Sequence, residues 1–371
     1  MTLVVLPTDR TSTFTNTGAA GVNRVVAFDD VLLVDNIGRN FEIRKVGGEA
    51  EPTWIQQVLY DVTIFPGEDN PSILDSDVHG AFLTDSGAWL MVVNHFGRVR
   101  CFEWPFPDGS ASHRPSPGVE LHLPGDTERL AFDGTCFVTS SPRGAYTPDA
   151  AQPGIFISEP VVPLLARSRP GGVRYLECHR ELDDWGFVTA LAFDRRQRRL
   201  AVAAGTRLAV FGLDRGNAAT QLAQPQWEMQ TSRATQWLAF DAQGRLVVAG
   251  HDGVTGDDEG TEWDGCRGGT LTVIAPDGHE VARGALPDAT AWGYGSDAIV
   301  LSADGRAAYV VDRFAGVHAI DLGSGAAHFL HQGVAATEAT PLGIGHAVRL
   351  GRYLYAGFSR GGYRVFRTAL P

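Results

Sequence analysis

The sequence predicts an all-β fold, a seven-bladed β-propeller built from four-stranded antiparallel blades. Three observations predict it. First, an apolar inner strand followed by two more short strands recurs seven times. Second, the inner-strand anchors Phe28, Phe82, Phe132, Phe193, Phe240, Val300 and Val348 lie about 53 residues apart on average, which suits a four-stranded blade with variable loops. Third, 44 glycines and 20 prolines supply the tight turns that such meanders need.

The fourth copy is the plainest. FVTALAFD (Phe187–Asp194) is followed by RRQR, by RLAVAA ending at Ala204, by a Gly205–Thr206 turn, and by RLAVFGLD ending at Asp214. Three apolar runs joined by turns of two to four residues form an antiparallel meander. The phrase returns as RVVAFDDVLLVDNIGRNFEIRKV from Arg24 and as GAFLTDSGAWLMVVNHFGRVRCFEW from Gly80. It returns as RLAFDGTCFVTSS from Arg129 with GIFISEP from Gly154, and as WLAFDAQGRLVVAG from Trp237 with GTLTVIAPDG from Gly269. The last two copies are AIVLSADGRAAYVVDRFAGVHAIDL from Ala298 and HAVRLGRYLYAGFSRGGYRVFRTAL from His346.

Outer strands are expected at Val58–Ile64, Val119–Leu123, Val173–Cys178, Trp227–Thr231, Val281–Leu286 and Ala327–His331. The seventh copy has no sequence left for one. An apolar run remains at the other end, Leu3–Leu6, and residues 2–7 are expected to complete blade seven and close the ring, removing an open sheet edge. The whole chain, residues 1–371, then forms one domain, with a long loop at 251–268 in blade five. The repeated phrase resembles that of WD40-like and related bacterial propellers. That resemblance spans nearly the whole chain and implies architecture rather than a particular activity.

Composition narrows the function. A net charge of −12 argues against nucleic-acid binding, which needs clustered positive charge. No run of 18 apolar residues points to a membrane span, and the short apolar N-terminal run lacks a basic flank, so a cytoplasmic bacterial protein is expected. Cys101, Cys136, Cys178 and Cys266 have no CxxC spacing and read as reduced small apolar residues.

Aligning the copies sorts polar residues onto one rim of the channel. The candidate ligand-binding residues there are His79, His95, Glu128, Gln236, His251, Asp297, Asp312, Arg313, His346 and Arg360. Inner-strand entries supply Asn23, His79, Glu128, Thr189, Gln236, Asp297 and His346. Two functions compete for this rim. The leading expectation is a non-catalytic scaffold that binds a protein partner through the rim, without a cofactor, inside a multiprotein bacterial complex. Analogy of architecture extends this to ATPase-associated complexes. The alternative is a metal-dependent hydrolase or lyase, with His79, Glu128, Asp297 and His346 holding a divalent ion whose bound water attacks the substrate. No HExxH or GxSxG motif accompanies these residues, so an enzyme is the second choice. The acidic loop HDGVTGDDEGTEWDGC suits partner contact, or calcium through its oxygen ligands. Trp185, Trp237, Trp292 and Tyr294 are candidates for an aromatic shelf that would bind a small metabolite.

Overall fold

The computed structural model describes residues 4–7, 21–28, 30–36, 40–45, 53–59, 78–94, 97–105, 118–124, 127, 129–140, 154–215, 220–251, 268–288, 290–291, 297–331, 342–343, 345–360 and 364–371. Strand β1 (Val4–Pro7) comes first. Four strands follow, β2 (Val22–Phe28), β3 (Val31–Asn36), β4 (Asn40–Lys45) and β5 (Thr53–Leu59), paired in that order. The second group is β6 (Val78–Leu83), β7 (Trp89–Asn94), β8 (Arg98–Glu103) and β9 (Val119–His122). The third begins with β10 (Leu130–Phe132), β11 (Phe137–Ser140) and β12 (Ile155–Ser158). Helix α1 (Val161–Leu165) and strands β13 (Gly172–Tyr175) and β14 (Cys178–Glu181) come next.

The fourth group is β15 (Ala190–Asp194), β16 (Arg199–Ala204), β17 (Arg207–Arg215) and β18 (Thr220–Gln230). The fifth is β19 (Ala234–Phe240), β20 (Leu246–His251), β21 (Thr270–Ile274) and β22 (Glu280–Ala285). The sixth is β23 (Ile299–Leu301), β24 (Ala307–Val311), β25 (Val317–Asp321) and β26 (Ala327–His331). The chain ends with β27 (Gly345–Leu350), β28 (Tyr353–Phe358) and β29 (Arg364–Ala369).

Among the described residues the strands form seven sheets, each built on three antiparallel strands in the order the repeats predict. The fold is an all-β propeller with four-stranded antiparallel blades. The seventh sheet has the order β1-β29-β28-β27, and β1 pairs antiparallel with β29, Val5 opposite Phe366. All seven sequence anchors fall on the first strand of a meander.

Packing lies between sheets rather than within one. Val31, Leu33 and Ile43 of the first sheet share a core with Leu90, Val92 and Phe102 of the second. The same arrangement repeats around the chain, and the last such core joins Val22, Leu32 and Val34 to Tyr355 and Val365 of the seventh sheet. A strand packed on both faces needs no polar alternation, so β3 is buried at all six positions. The outer β22 and β26 have only one covered face and are largely exposed. The junction of the first and seventh sheets is tight. A Cβ on Gly357 would lie 2.3 Å from Val22 Cγ1, so only glycine fits there.

Three outer strands depart from expectation. The first begins at Thr53, not Val58, because its register sets Thr53 opposite Lys45. The fourth, β18, begins at Thr220, not Trp227, because β17 runs on to Arg215 and pairs it with Thr220 past the register shifts at Phe211. The third blade's outer strand is β14, beside β12, and not Val173–Cys178. Residues 172–175 instead form β13, a fifth strand at the edge of the second sheet, parallel to β9. Parallel pairing needs a crossover, and α1 supplies it. Its Val161, Leu164 and Leu165 bury between the second and third sheets, and the chain emerges beyond the edge of the second. Among the described residues no helix is long and apolar enough to cross a membrane.

Candidate functional site

Three inner strands start with the same irregularity. Pairing skips Asn23 in β2, His79 in β6 and Gln236 in β19, so each is the extra residue of a β-bulge. A bulged residue has no ladder partner, and the local kink re-aims its side chain. His79 and Gln236 line a cavity of about 90 Å³, together with Arg24, Arg129, Trp237 and Asp297. These six side chains lie on, or just before, the inner strands of five sheets, so the cavity sits where the inner strands converge.

Hydrogen bonds tie the mouth together from blade to blade. Val78 N–H donates to Asp35 across the first and second sheets at 2.9 Å. His79 Nδ1–H donates to the Thr127 carbonyl at 2.8 Å, and the Thr127 hydroxyl donates to the Asn94 carbonyl at 3.0 Å. Arg129 Nε donates to the Thr189 carbonyl, and its terminal nitrogen donates to Gln236 Oε1 at 3.4 Å. The Thr189 hydroxyl donates to the Thr235 carbonyl at 2.5 Å. Arg24 pairs with Asp297 at 3.3 Å, joining the first and sixth sheets.

Asp297 and His346 face each other. The Asp297 N–H donates to His346 Nδ1 at 3.3 Å, and the carboxylate lies 3.9 Å from the same nitrogen. An accepting Nδ1 puts the proton of the neutral ring on Nε2. Burial pushes the Asp297 carboxyl up, but the Arg24 and Arg129 charges beside it outweigh burial and hold it at about 2. Its side chain still keeps 47% of its surface because it faces the cavity. Burial, helped by both arginines, holds His346 below the usual imidazole range against the pull of Asp297.

Both folded pKa values are depressed, so both contributions to stability are present at neutral pH. The His346 contribution is lost as pH falls below 6.5, and the Asp297 contribution as pH falls from 3.8 towards about 2. In urea unfolding across this range, His346→Gln should flatten the decline between pH 7 and 5. Asp297→Asn should flatten it between pH 4 and 2. Curves parallel to the wild type would show that neither group is coupled to folding.

Of the candidates read from sequence, His79, Gln236, Asp297 and His346 come together at this mouth. Asp312 serves the β24–β25 turn, where its carboxylate accepts from the Phe314 and Gly316 N–H groups and from His318 Nε2 at 3.0 Å. Arg313 and Arg360 flank Leu342 through backbone hydrogen bonds. His251 ends β20 opposite Ala234. His95, Glu128, Trp292, Tyr294 and residues 252–267 lie outside the described residues. Among the described residues no group of three or more His, Cys, Asp or Glu side chains could hold a metal ion. Trp185 packs on Phe211 under the Arg207 guanidinium, and Trp237 belongs to the core between the fifth and sixth sheets.

Sequence reading missed Arg24 and Arg129. Each follows an entry residue already chosen, Asn23 or Glu128. The available signal was a charge at the head of an apolar strand, which demands a partner when buried.

No protein-family model matches the chain, and no curated protein matches it. Among solved structures it is similar to the β-propeller domain of Cps50 (Swd1) from Myceliophteria thermophila, with a TM-score of 0.58 and 10% identity over 94% of this chain and 96% of that one. At that identity the likeness speaks for the propeller fold alone.

Proposed function

We propose that the chain is one seven-bladed ring, clasped where β1 completes the sheet of β27, β28 and β29, and that it works as a non-catalytic platform for binding a protein partner. Seven sheets with a core between each consecutive pair, the last against the first, support the ring. One observation carries the platform reading: the ionisable groups at the mouth are tied from blade to blade. Arg24, Arg129, His79 and His346 each bond a residue that leads into the inner strand of another blade, which holds the scaffold rigid. Rigid sheets leave recognition to loops and sheet edges.

The partner is a component of a multiprotein assembly in the same cell. Tagged chain purified from its host, with the partner then identified and expressed, should give a complex of fixed stoichiometry from the two pure proteins. The opposing outcome is a chain that stays alone yet carries one equivalent of a divalent metal, lost in Asp297→Asn and His346→Gln. That result would move the function to a metal centre at the mouth.

A further inference from the structure

The crossover between the second and third sheets has a consequence on the outside of the molecule. Residues 159–177 leave β12, pass through α1, run as β13 along β9, and return to β14. The segment is firmly held. Val161, Leu164, Leu165 and Leu176 are buried in one core. Gly171 N–H donates to the Gly118 carbonyl, Leu176 N–H to the His122 carbonyl and Glu159 N–H to the Glu177 carbonyl, at 2.7–2.8 Å. β13 is therefore an ordered edge.

β13 is the terminal strand of its sheet, with no further strand beside it among the described residues. Most outer edges are guarded by burial, brevity or charge. Here two apolar side chains are presented instead: Val173 is 60% exposed and Tyr175 75% exposed. They are two residues apart on one face of the strand, the spacing at which an added strand would meet both.

Charge sets the partner. In a chain of net charge −12, this segment presents Arg167, Arg169 and Arg174, all exposed. None of these three guanidiniums has a hydrogen bond or ion pair among the described residues. Three of the nearby carboxylates are already engaged, and that of the exposed Glu177 is left to solvent. Glu120 bonds His122 Nε2 at 2.6 Å, Glu159 accepts the Glu177 N–H, and Glu181 lies 3.6 Å from His179.

We propose that the open edge of β13 takes an extended acidic segment of a protein partner as an added strand. Its backbone pairs with Gly172–Tyr175, its apolar residues cover Val173 and Tyr175, and its carboxylates meet Arg167, Arg169 and Arg174. This rests on the binding-platform reading and names the edge and the chemistry of the partner.

The test uses the full chain and a fluorescein-labelled heptapeptide of alternating glutamate and valine, followed by anisotropy. Saturable binding is expected, weakened at least about tenfold by the triple reversal Arg167→Glu/Arg169→Glu/Arg174→Glu and by 0.5 M salt. The three side chains are exposed, so the variant should fold, and circular dichroism checks it. N-methylation of alternate peptide nitrogens should abolish binding, because strand addition needs backbone donors. Equal binding by the triple variant, or undiminished binding of the methylated peptide, overturns the proposal. So does a concentration-dependent dimer of the chain that the triple reversal dissolves, since the edge would then serve a second copy. Partner binding by the intact chain that the triple reversal leaves unchanged would remove this edge and leave the platform reading standing.

Discussion

Deleting residues 1–7 should lower the melting temperature of the whole chain by about 10 °C, given that about 4 kcal/mol is lost at a few degrees per kcal/mol in a domain of this size. The energy follows from the ladder. Val4 to Pro7 pair with Arg367 to Arg364, and about four net hydrogen bonds at about 1 kcal/mol each disappear. The loss should also be felt far away in sequence. β29 becomes a free edge, and amide exchange within Arg364–Ala369 should accelerate before exchange elsewhere. The consequences reach the first blade through the tight contact between Gly357 and Val22. Unchanged melting and unchanged protection of β29 would show that β1 does not hold the last sheet.

Breaking the ion pair between Asp194 and Arg199 should cost about 3–5 kcal/mol, because removing one partner leaves the other charge buried. The pair is 2.6 Å long with 4% and 7% of the side-chain surfaces exposed. Asp194 also accepts from the N–H groups of Arg196 and Gln197, shaping the turn after β15. Arg199 reaches the next blade, donating to the Gly244 carbonyl at 2.7 Å and lying over Phe240. Arg199→Leu should therefore destabilise strongly, and Asp194→Val/Arg199→Leu should recover part of the loss. Thermal unfolding of Arg199→Leu, Asp194→Val and the double variant decides it. A double variant as unstable as the sum of the singles would mean that turn geometry, not the isolated charge, dominates.

The next blade repeats the device. Arg245 pairs with Asp241 at 2.7 Å and donates to the Gly305 carbonyl at 2.6 Å. The AFD of the repeated phrase thus ends an inner strand and begins a tie to the following blade. The repeat is legible because its apolar period and its turn residues are set locally, and so are the inner-strand anchors. β1 is reached by elimination, as the apolar run that no copy uses.

What escaped reading depended on long-range geometry. The pattern of Gly172–Tyr175 suits an edge strand in either of two sheets, and only burial of α1 decides which. At the mouth, His79, Gln236, Asp297 and His346 were found because the copies align at their entries. Arg24 and Arg129 each lie one position past the entry residue chosen; for Arg24 the choice turns on a bulge at Asn23 that leaves no mark in a hydrophobic pattern.

Those bulges carry one more implication. Asn23, His79 and Gln236 occupy positions that no cross-strand neighbour constrains. Substituting His79 or Gln236 would leave the register of its own sheet intact and cost the bond it makes to a neighbouring blade. Such a change loosens the joint between two walls without unpicking either one.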